Sequence, residues 1–158
     1  MQKITPFLWF DTQAEAAAKF YASVFPNSKI LKTARYGEAG PGPKGSVMTV
    51  EFELDGQRMI ALNGGPQFKF TEAISLSVDC NDQKEVDHYW TKLSQGGQES
   101  MCGWLKDKYG LSWQVNPSIL GKLLSDKDAK KAQRVMEAML KMKKIDIAAL
   151  KAAAEAKS

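Results

Sequence analysis

Shifted 70 residues against itself, the chain falls into register over a strand and a helix, and this repeat restricts the possible folds more than any other feature. Ile74, Leu76, Val78 and Cys80 land on Ile4, Pro6, Leu8 and Phe10, with Ser75 and Ser77 on Thr5 and Phe7. Further on, Asp82 lands on Thr12, Glu85 on Glu15 and Trp90 on Phe20. In each copy a residue that caps helices is followed three positions later by glutamate, the pattern of a capping box. Each half therefore reads strand, helix, three strands. A half of this size cannot bury a sheet face alone, so two paired halves sharing a core are expected.

Within the first half, Ile4 to Phe10 alternates Ile4, Pro6, Leu8 and Phe10 against Thr5, Phe7 and Trp9. Thr12 and Glu15 predict a helix start, with Ala16, Phe20 and Val24 along its buried stripe and an end before Pro26. Ser28 to Tyr36 resumes as a strand. Gly37 to Gly45, GEAGPGPKG, is a loop; it leads into a strand rather than a helix and its prolines lack donors, so it reads as a connector, or a lid over a pocket, and not as a phosphate cradle. Val47 to Leu54 and Gln57 to Leu62 alternate about Asp55-Gly56, a two-residue hairpin signal that sets Glu53 across from Arg58 as a cross-strand ion pair.

The second half ends in MCGWLKDKYGLSWQV, Met101 to Val115. Met101 to Lys106 reads as a strand, Leu111 to Asn116 as the next, with Tyr109-Gly110 supplying positive φ and Pro117 ending the pairing. Neighbours on a strand face opposite ways, which assigns Trp113 to the interior and Gln114 to the other face. Beyond it, Ser118 to Leu124 is a short helix and Asp126 a cap for a helix striped by Ala132, Val135, Met136, Met139, Leu140 and Met142; IDIAALKAAAEA makes a last one. The division expected is residues 1–117 as one domain of paired modules (about 1–66 and 72–117), with 118–158 a helical extension packed on it or on a partner chain.

The net charge of +4 suggests nucleic acid until it is located: from Gly121 onward there are ten Lys/Arg against five Asp/Glu, so the excess belongs to the tail, where it reads as a solvated helix face. No reader motif accompanies it, and no nucleic-acid partner is expected. No apolar run approaches the roughly 18 residues of a membrane span, nor does the N-terminus read as a signal peptide, which points to the cytoplasm. Cys80 and Cys102 then read as free thiols.

Taken together, PFLWFDTQAEAAAKFYASVFPNSKI, SVDCNDQKEVDHYWTKLSQGG, CGWLKDKYGLSWQVNP and KAQRVMEAMLKMKKIDIAAL give a chain that resembles the vicinal oxygen chelate superfamily of glyoxalase, bleomycin-resistance and extradiol dioxygenase proteins. The nearer resemblance is to its PhnB-like branch, whose members often carry the name 3-demethylubiquinone-9 3-methyltransferase. It implies an α+β fold of two βαβββ modules whose curved sheets enclose a cavity, with helices outside, and it implies a homodimer, since paired chains are frequent there. Metal-dependent members hold a divalent ion with His, Gln or Glu from the first and last strand of each module. Those positions fall near Thr5, Ile60, Ser75 and Gln114, of which only Gln114 is a plausible ligand; the one histidine, His88, sits in the second helix. No metal and no cofactor are expected, and methyl transfer is not, because neither half has the Gly-rich strand-to-helix turn that S-adenosylmethionine needs in methyltransferases of the usual kind.

The expected function is metal-independent binding of a small, partly aromatic or apolar molecule, with Phe7, Trp9, Ser75, Ser77, Cys102, Trp104 and Gln114 as binding residues. The alternative is an enzyme of the same superfamily, metal-dependent or working through Cys102 or a carboxylate such as Glu51.

Overall fold

A computed structural model describes residues 2–157, which form two compact units divided between Phe70 and Thr71. The first holds β1 (Phe7–Phe10), α1 (Ala14–Val24), β2 (Lys29–Arg35), β3 (Val47–Leu54) and β4 (Gln57–Asn63). The second holds β5 (Leu76–Cys80), α2 (Gln83–Ser94), β6 (Gln98–Glu99), β7 (Trp104–Lys106) and β8 (Ser112–Pro117), then α3 (Ser118–Leu124), α4 (Ala129–Met139) and α5 (Ile147–Glu155). Each unit has one four-stranded mixed sheet, ordered β1-β4-β3-β2 and β5-β8-β7-β6, in which the first strand runs parallel to the last and the others are antiparallel. The α+β class and the repeated βαβββ topology are those expected of the repeat.

In the first unit Leu8, Phe10, Val50, Phe52, Leu54, Met59 and Ala61 are buried, as are Ala14, Ala17, Ala18, Tyr21 and Val24 of α1, with Tyr21 stacked on Phe52 at 6.4 Å. This corrects the predicted stripe: Ala16 is exposed and Phe20 half-buried. The helix is apolar on most sides, so periodicity alone does not select its face; three small alanines let its backbone lie close to the sheet. The start of α1 is also set differently. Thr12 does not cap it; Asn63, at the end of β4, accepts from the Ala14 N–H at 2.8 Å. The turn at Asp55 (φ 48°) and Gly56 (φ 83°) has two left-handed residues in succession, as a tight hairpin requires. Glu53 is indeed opposite Arg58, but Arg58 pairs with Glu51 at 2.7 Å and Glu53 lies 3.9 Å from Lys29. Strand twist brings such diagonal neighbours within reach of long side chains.

In the second unit Asp82 accepts from the Glu85 N–H at 2.9 Å, and Glu85 reaches back to the Asn81 N–H at 2.9 Å, so this capping box forms, its return arm one residue earlier than the standard motif. The β7–β8 hairpin closes on Asp107, which is 3% exposed. Its Oδ1 accepts from the N–H groups of Tyr109 (2.8 Å) and Leu111 (3.1 Å), and its Oδ2 from Trp113 Nε1–H (2.8 Å). Met101 to Gly103 is a turn rather than strand: Cys102 has φ 59°, and the N–H groups of Cys102 and Gly103 donate to the carbonyls of Met142 and Lys143, each at 2.8 Å. Gly103 is required there, since a Cβ would lie 2.8 Å from the Val115 carbonyl oxygen.

The C-terminal helices bury Leu120, Val135, Ile145, Leu150 and Ala154 together. Gln83 of α2 fastens the approach to α5, donating to the Ile145 carbonyl at 3.0 Å and accepting from the Ile147 N–H at 2.8 Å. Asp128, not Asp126, caps α4; Asp126 accepts from the Asp128 N–H and lies 3.5 Å from Lys131.

Asp107→Ala would leave buried N–H groups without an acceptor and is expected to cost roughly 3–5 kcal/mol, read as a lower urea midpoint at unchanged slope. Trp113→Ala, which opens a cavity and frees Oδ2, is expected to cost on the order of 3–5 kcal/mol; the pair of changes together should cost clearly less than their sum.

Candidate functional site

Alternation along each strand turns one side of each sheet toward its helix and leaves the other open. In the first unit the open face carries Phe7 and Trp9 with Ile60 and Leu62 as their register partners. Trp9 is engaged by its own unit: its Nε1–H donates to the Gly65 carbonyl at 2.8 Å, its ring meets Phe68 edge-on at 4.9 Å, and a Cβ on Gly64 would fall 2.4 Å from the indole. Phe7 stays 58% exposed.

In the second unit the open face is polar. Gln114 Nε2 donates to Ser75 Oγ at 3.0 Å and Asn116 Nδ2 to Ser77 Oγ at 3.2 Å, with Asn116 Nδ2 also 3.4 Å from Gln114 Oε1. Trp104 sits across from Gln114 in the β7–β8 register; in the next row on the same face, Gln98, Lys106 and Ser112 line up across β6, β7 and β8. A cavity of about 220 Å³ opens here, walled by Trp104, Lys106, Ser112, Gln98, Glu99 and Glu72, among others. Lys106 pairs with Glu72, and the hydrogen bond from its ammonium holds the Glu72 carboxyl below the usual carboxylate range. Glu99 accepts from Trp90 Nε1–H at 3.0 Å. Ser112 is 1% exposed, and its Oγ is the buried side-chain oxygen that finds no hydrogen-bond partner among the described residues.

Of the predicted binding residues, Ser75, Ser77, Trp104 and Gln114 thus share one face of one sheet, and Trp104 borders a cavity. Cys102 is half-buried in the turn before β7 and does not line that cavity, which corrects its assignment to the adjoining strand. Phe7 and Trp9 belong to the other unit. Sequence reasoning missed Ser112 and Lys106; a serine and a lysine on an alternating strand carry no signal until the register is known.

A larger cavity, about 520 Å³, lies in the first unit between the start of α1 and the Gly37 to Gly45 loop, and none of the predicted residues line it. The loop is fastened. Tyr36 exchanges backbone bonds with Gly45 and Ser46, its hydroxyl donates to the Asn63 carbonyl at 2.5 Å, and the backbones of Gly40 and Gly42 lie so near its ring that a Cβ on either would come within 2.4 Å.

The residues at the positions where the resemblance implied metal ligands do not fit an ion. Thr5, Ile60, Ser75 and Gln114 offer no imidazole and no carboxylate, and Ser75 and Gln114 are bonded to each other. Among the described residues no three His, Cys, Asp or Glu side chains gather closely enough to hold one. Cys80 is buried, and that burial, with Glu85, Asp79 and Asp82 nearby, pushes its thiol up to about 12, away from nucleophilic use.

Comparison with known proteins places this geometry. The sequence profile of the 3-demethylubiquinone-9 3-methyltransferase family matches residues 2–116. A PhnB protein from Bacillus cereus that carries the same family label is 41% identical, with a TM-score of 0.68, the alignment covering 73% of this chain and 99% of that one. A protein from Pseudomonas aeruginosa, 20% identical, shares the fold at TM-score 0.62 over 74% of this chain and 98% of its own. The fosfomycin resistance protein FosX from Listeria monocytogenes shares it at TM-score 0.54 and 13% identity, over 79% and 98%. No curated protein matches. The chain therefore belongs to the PhnB-like family labelled 3-demethylubiquinone-9 3-methyltransferase.

Proposed function

We propose that this chain binds a small, partly aromatic or apolar molecule, without a metal ion, on the open face of its second sheet. The observation that carries the reading is the juxtaposition of Trp104 with Gln114: a ring that offers stacking area beside an amide that can exchange its bond to Ser75 for one to a ligand. Ser77 and Asn116 extend the same polar row. In the first unit, Phe7 and Trp9 are the apolar counterpart of this surface.

Chemistry finds less support than binding. Glu51 is held by Arg58, and Cys102 has its backbone tied to the tail. The methyl transfer in the family label lacks its usual site: the strand-to-helix joints, Asp11-Thr12-Gln13 and Asn81-Asp82, contain no glycine, and both sheets are mixed rather than doubly wound. Met136 on α4 and Leu140 just past its end, 39% and 56% exposed, support a homodimer. Both cysteines are free thiols, which supports a reducing compartment such as the cytoplasm, and no helix of the described residues is long and apolar enough to cross a membrane.

A fragment library screened by protein-observed NMR is expected to give compounds that shift the Trp104 indole and the Gln114 side-chain amide together. Gln114→Ala should weaken those compounds severalfold while moving stability by only about 1 kcal/mol, the net worth of a part-buried neutral hydrogen bond. No compound moving either signal would sink the reading. Calorimetric titration with Zn²⁺ or Mn²⁺ should show no stoichiometric site; micromolar binding lost in Gln114→Ala would restore the metal. In sedimentation, the wild-type chain should run as a dimer at micromolar concentration and Leu140→Glu as a monomer, whereas a monomeric wild type removes the dimer.

A further inference from the structure

The cavity beside Trp104 contains an oddity that binding by stacking alone does not explain. Ser112 is buried on a central strand, where a hydroxyl normally finds a partner, yet its Oγ has none among the described residues. Its register partner is Lys106, whose ammonium is the cation of the cavity wall. The backbone that carries that ammonium is held in the sheet, while the carboxylate it pairs with, Glu72, comes from the turn ahead of β5 and is 61% exposed at the side chain. An exposed carboxylate on a turn is easily moved, and its pairing is worth little in water. The other carboxylate at the rim, Glu99, is spoken for by Trp90 and sits on the alternate, helix-facing side of its strand. A partnerless donor, a cation carried on a central strand and a displaceable carboxylate in one small space together favour an incoming anion. An incoming amine would have only the solvated Glu72 to meet, in competition with Lys106.

Resting on the binding role proposed above, we infer that this site takes a one-ring aromatic carboxylate: the ring lies on Trp104, the carboxylate accepts from Ser112 Oγ–H and Lys106 Nζ–H, and Glu72 is the internal stand-in that the ligand displaces. The size agrees, since about 220 Å³ is below the roughly 300 Å³ at which drug-sized pockets begin. The same arrangement accounts for Ser112, whose cost to the empty protein is recovered when the ligand arrives.

The test uses benzoate and its neutral isostere benzamide, titrated into the full chain and followed at the Trp104 indole by NMR. Benzoate is expected to bind at least about tenfold more tightly than benzamide, the scale of a charge-assisted hydrogen bond. Lys106→Met should abolish that preference, and Ser112→Ala should weaken benzoate severalfold without lowering the melting temperature. Glu72→Gln, a change at an exposed side chain whose ion pair contributes little to folding, should tighten benzoate severalfold by removing the competitor. Equal affinity for both probes, or a benzoate affinity indifferent to Glu72→Gln and Lys106→Met, overturns the anion and leaves the binding surface standing. If neither probe moves the Trp104 indole at millimolar concentration, while library fragments do, the carboxylate alone falls; if nothing moves it, both readings fall.

Discussion

The Asp107 carboxylate gathers the N–H groups of Tyr109 and Leu111 and the indole of Trp113 inside the β7–β8 hairpin, and the facing of Ser112 and Gln114 on the second sheet depends on it. A strand has a side-chain period of two, so a slip of one residue in this hairpin would send Ser112 and Gln114 to the helix side and Trp113 into the open. Two of the three bonds fix the turn and the third fixes the first inward side chain of β8, which leaves no alternative register. A buried carboxylate is costly unless its oxygens are satisfied. Here three donors converge on it, so the same group that would penalise any misfolded hairpin stabilises the correct one.

The first unit has the same topology but a different lock. Asn63 accepts from the start of α1, donates to the Val47 carbonyl at 3.1 Å and receives the Tyr36 hydroxyl on its own carbonyl, so one amide residue at a strand end ties helix, sheet and loop. The two copies diverge most on their open faces. Where β1 presents Phe7 and Trp9, β5 presents Ser77 and Asp79, and where β4 presents Ile60 and Leu62, β8 presents Gln114 and Asn116. The buried helix-facing positions are apolar in both, Leu8, Phe10, Met59 and Ala61 in one and Val78, Cys80, Trp113 and Val115 in the other, because each sheet must bury one side whatever the other does. One repeat thus presents an apolar surface while the other presents hydrogen-bonding groups.

What could be read from the sequence was local. Period-two alternation gave the strands, Asp55-Gly56 gave its turn, and Asp82 with Glu85 gave a helix start, since each depends on neighbours in the chain. Failures came where a distant residue decided the matter. Thr12 has the right chemistry for a cap, but Asn63 arrives from 49 positions away to take the Ala14 N–H. The run from Met101 has strand composition, but the carbonyls of Met142 and Lys143 draw the Cys102 and Gly103 N–H groups out of any ladder. The site divides the same way. The facing of Gln114 followed from alternation and the strand that holds Trp104 from composition, whereas Ser112 became visible only when burial showed a hydroxyl without a partner.

The two kinds of polar group in the second unit differ in how readily they can change partners. Asp107 is buried, and exchanging any of its donors means opening the hairpin; it belongs to the scaffold. The bonds among Ser75, Ser77, Gln114 and Asn116 lie on a face that reaches solvent, where replacing one neutral hydrogen bond by another changes the free energy by only about 1 kcal/mol. A binding surface needs that contrast, because groups that must let go of one another cannot also hold the register. Lys106 stands on the boundary, its backbone in β7 next to Asp107 and its ammonium on the exchangeable Glu72. The hairpin fixes the Lys106 backbone, while the four-carbon stem beyond it lets the ammonium follow the carboxylate it pairs with.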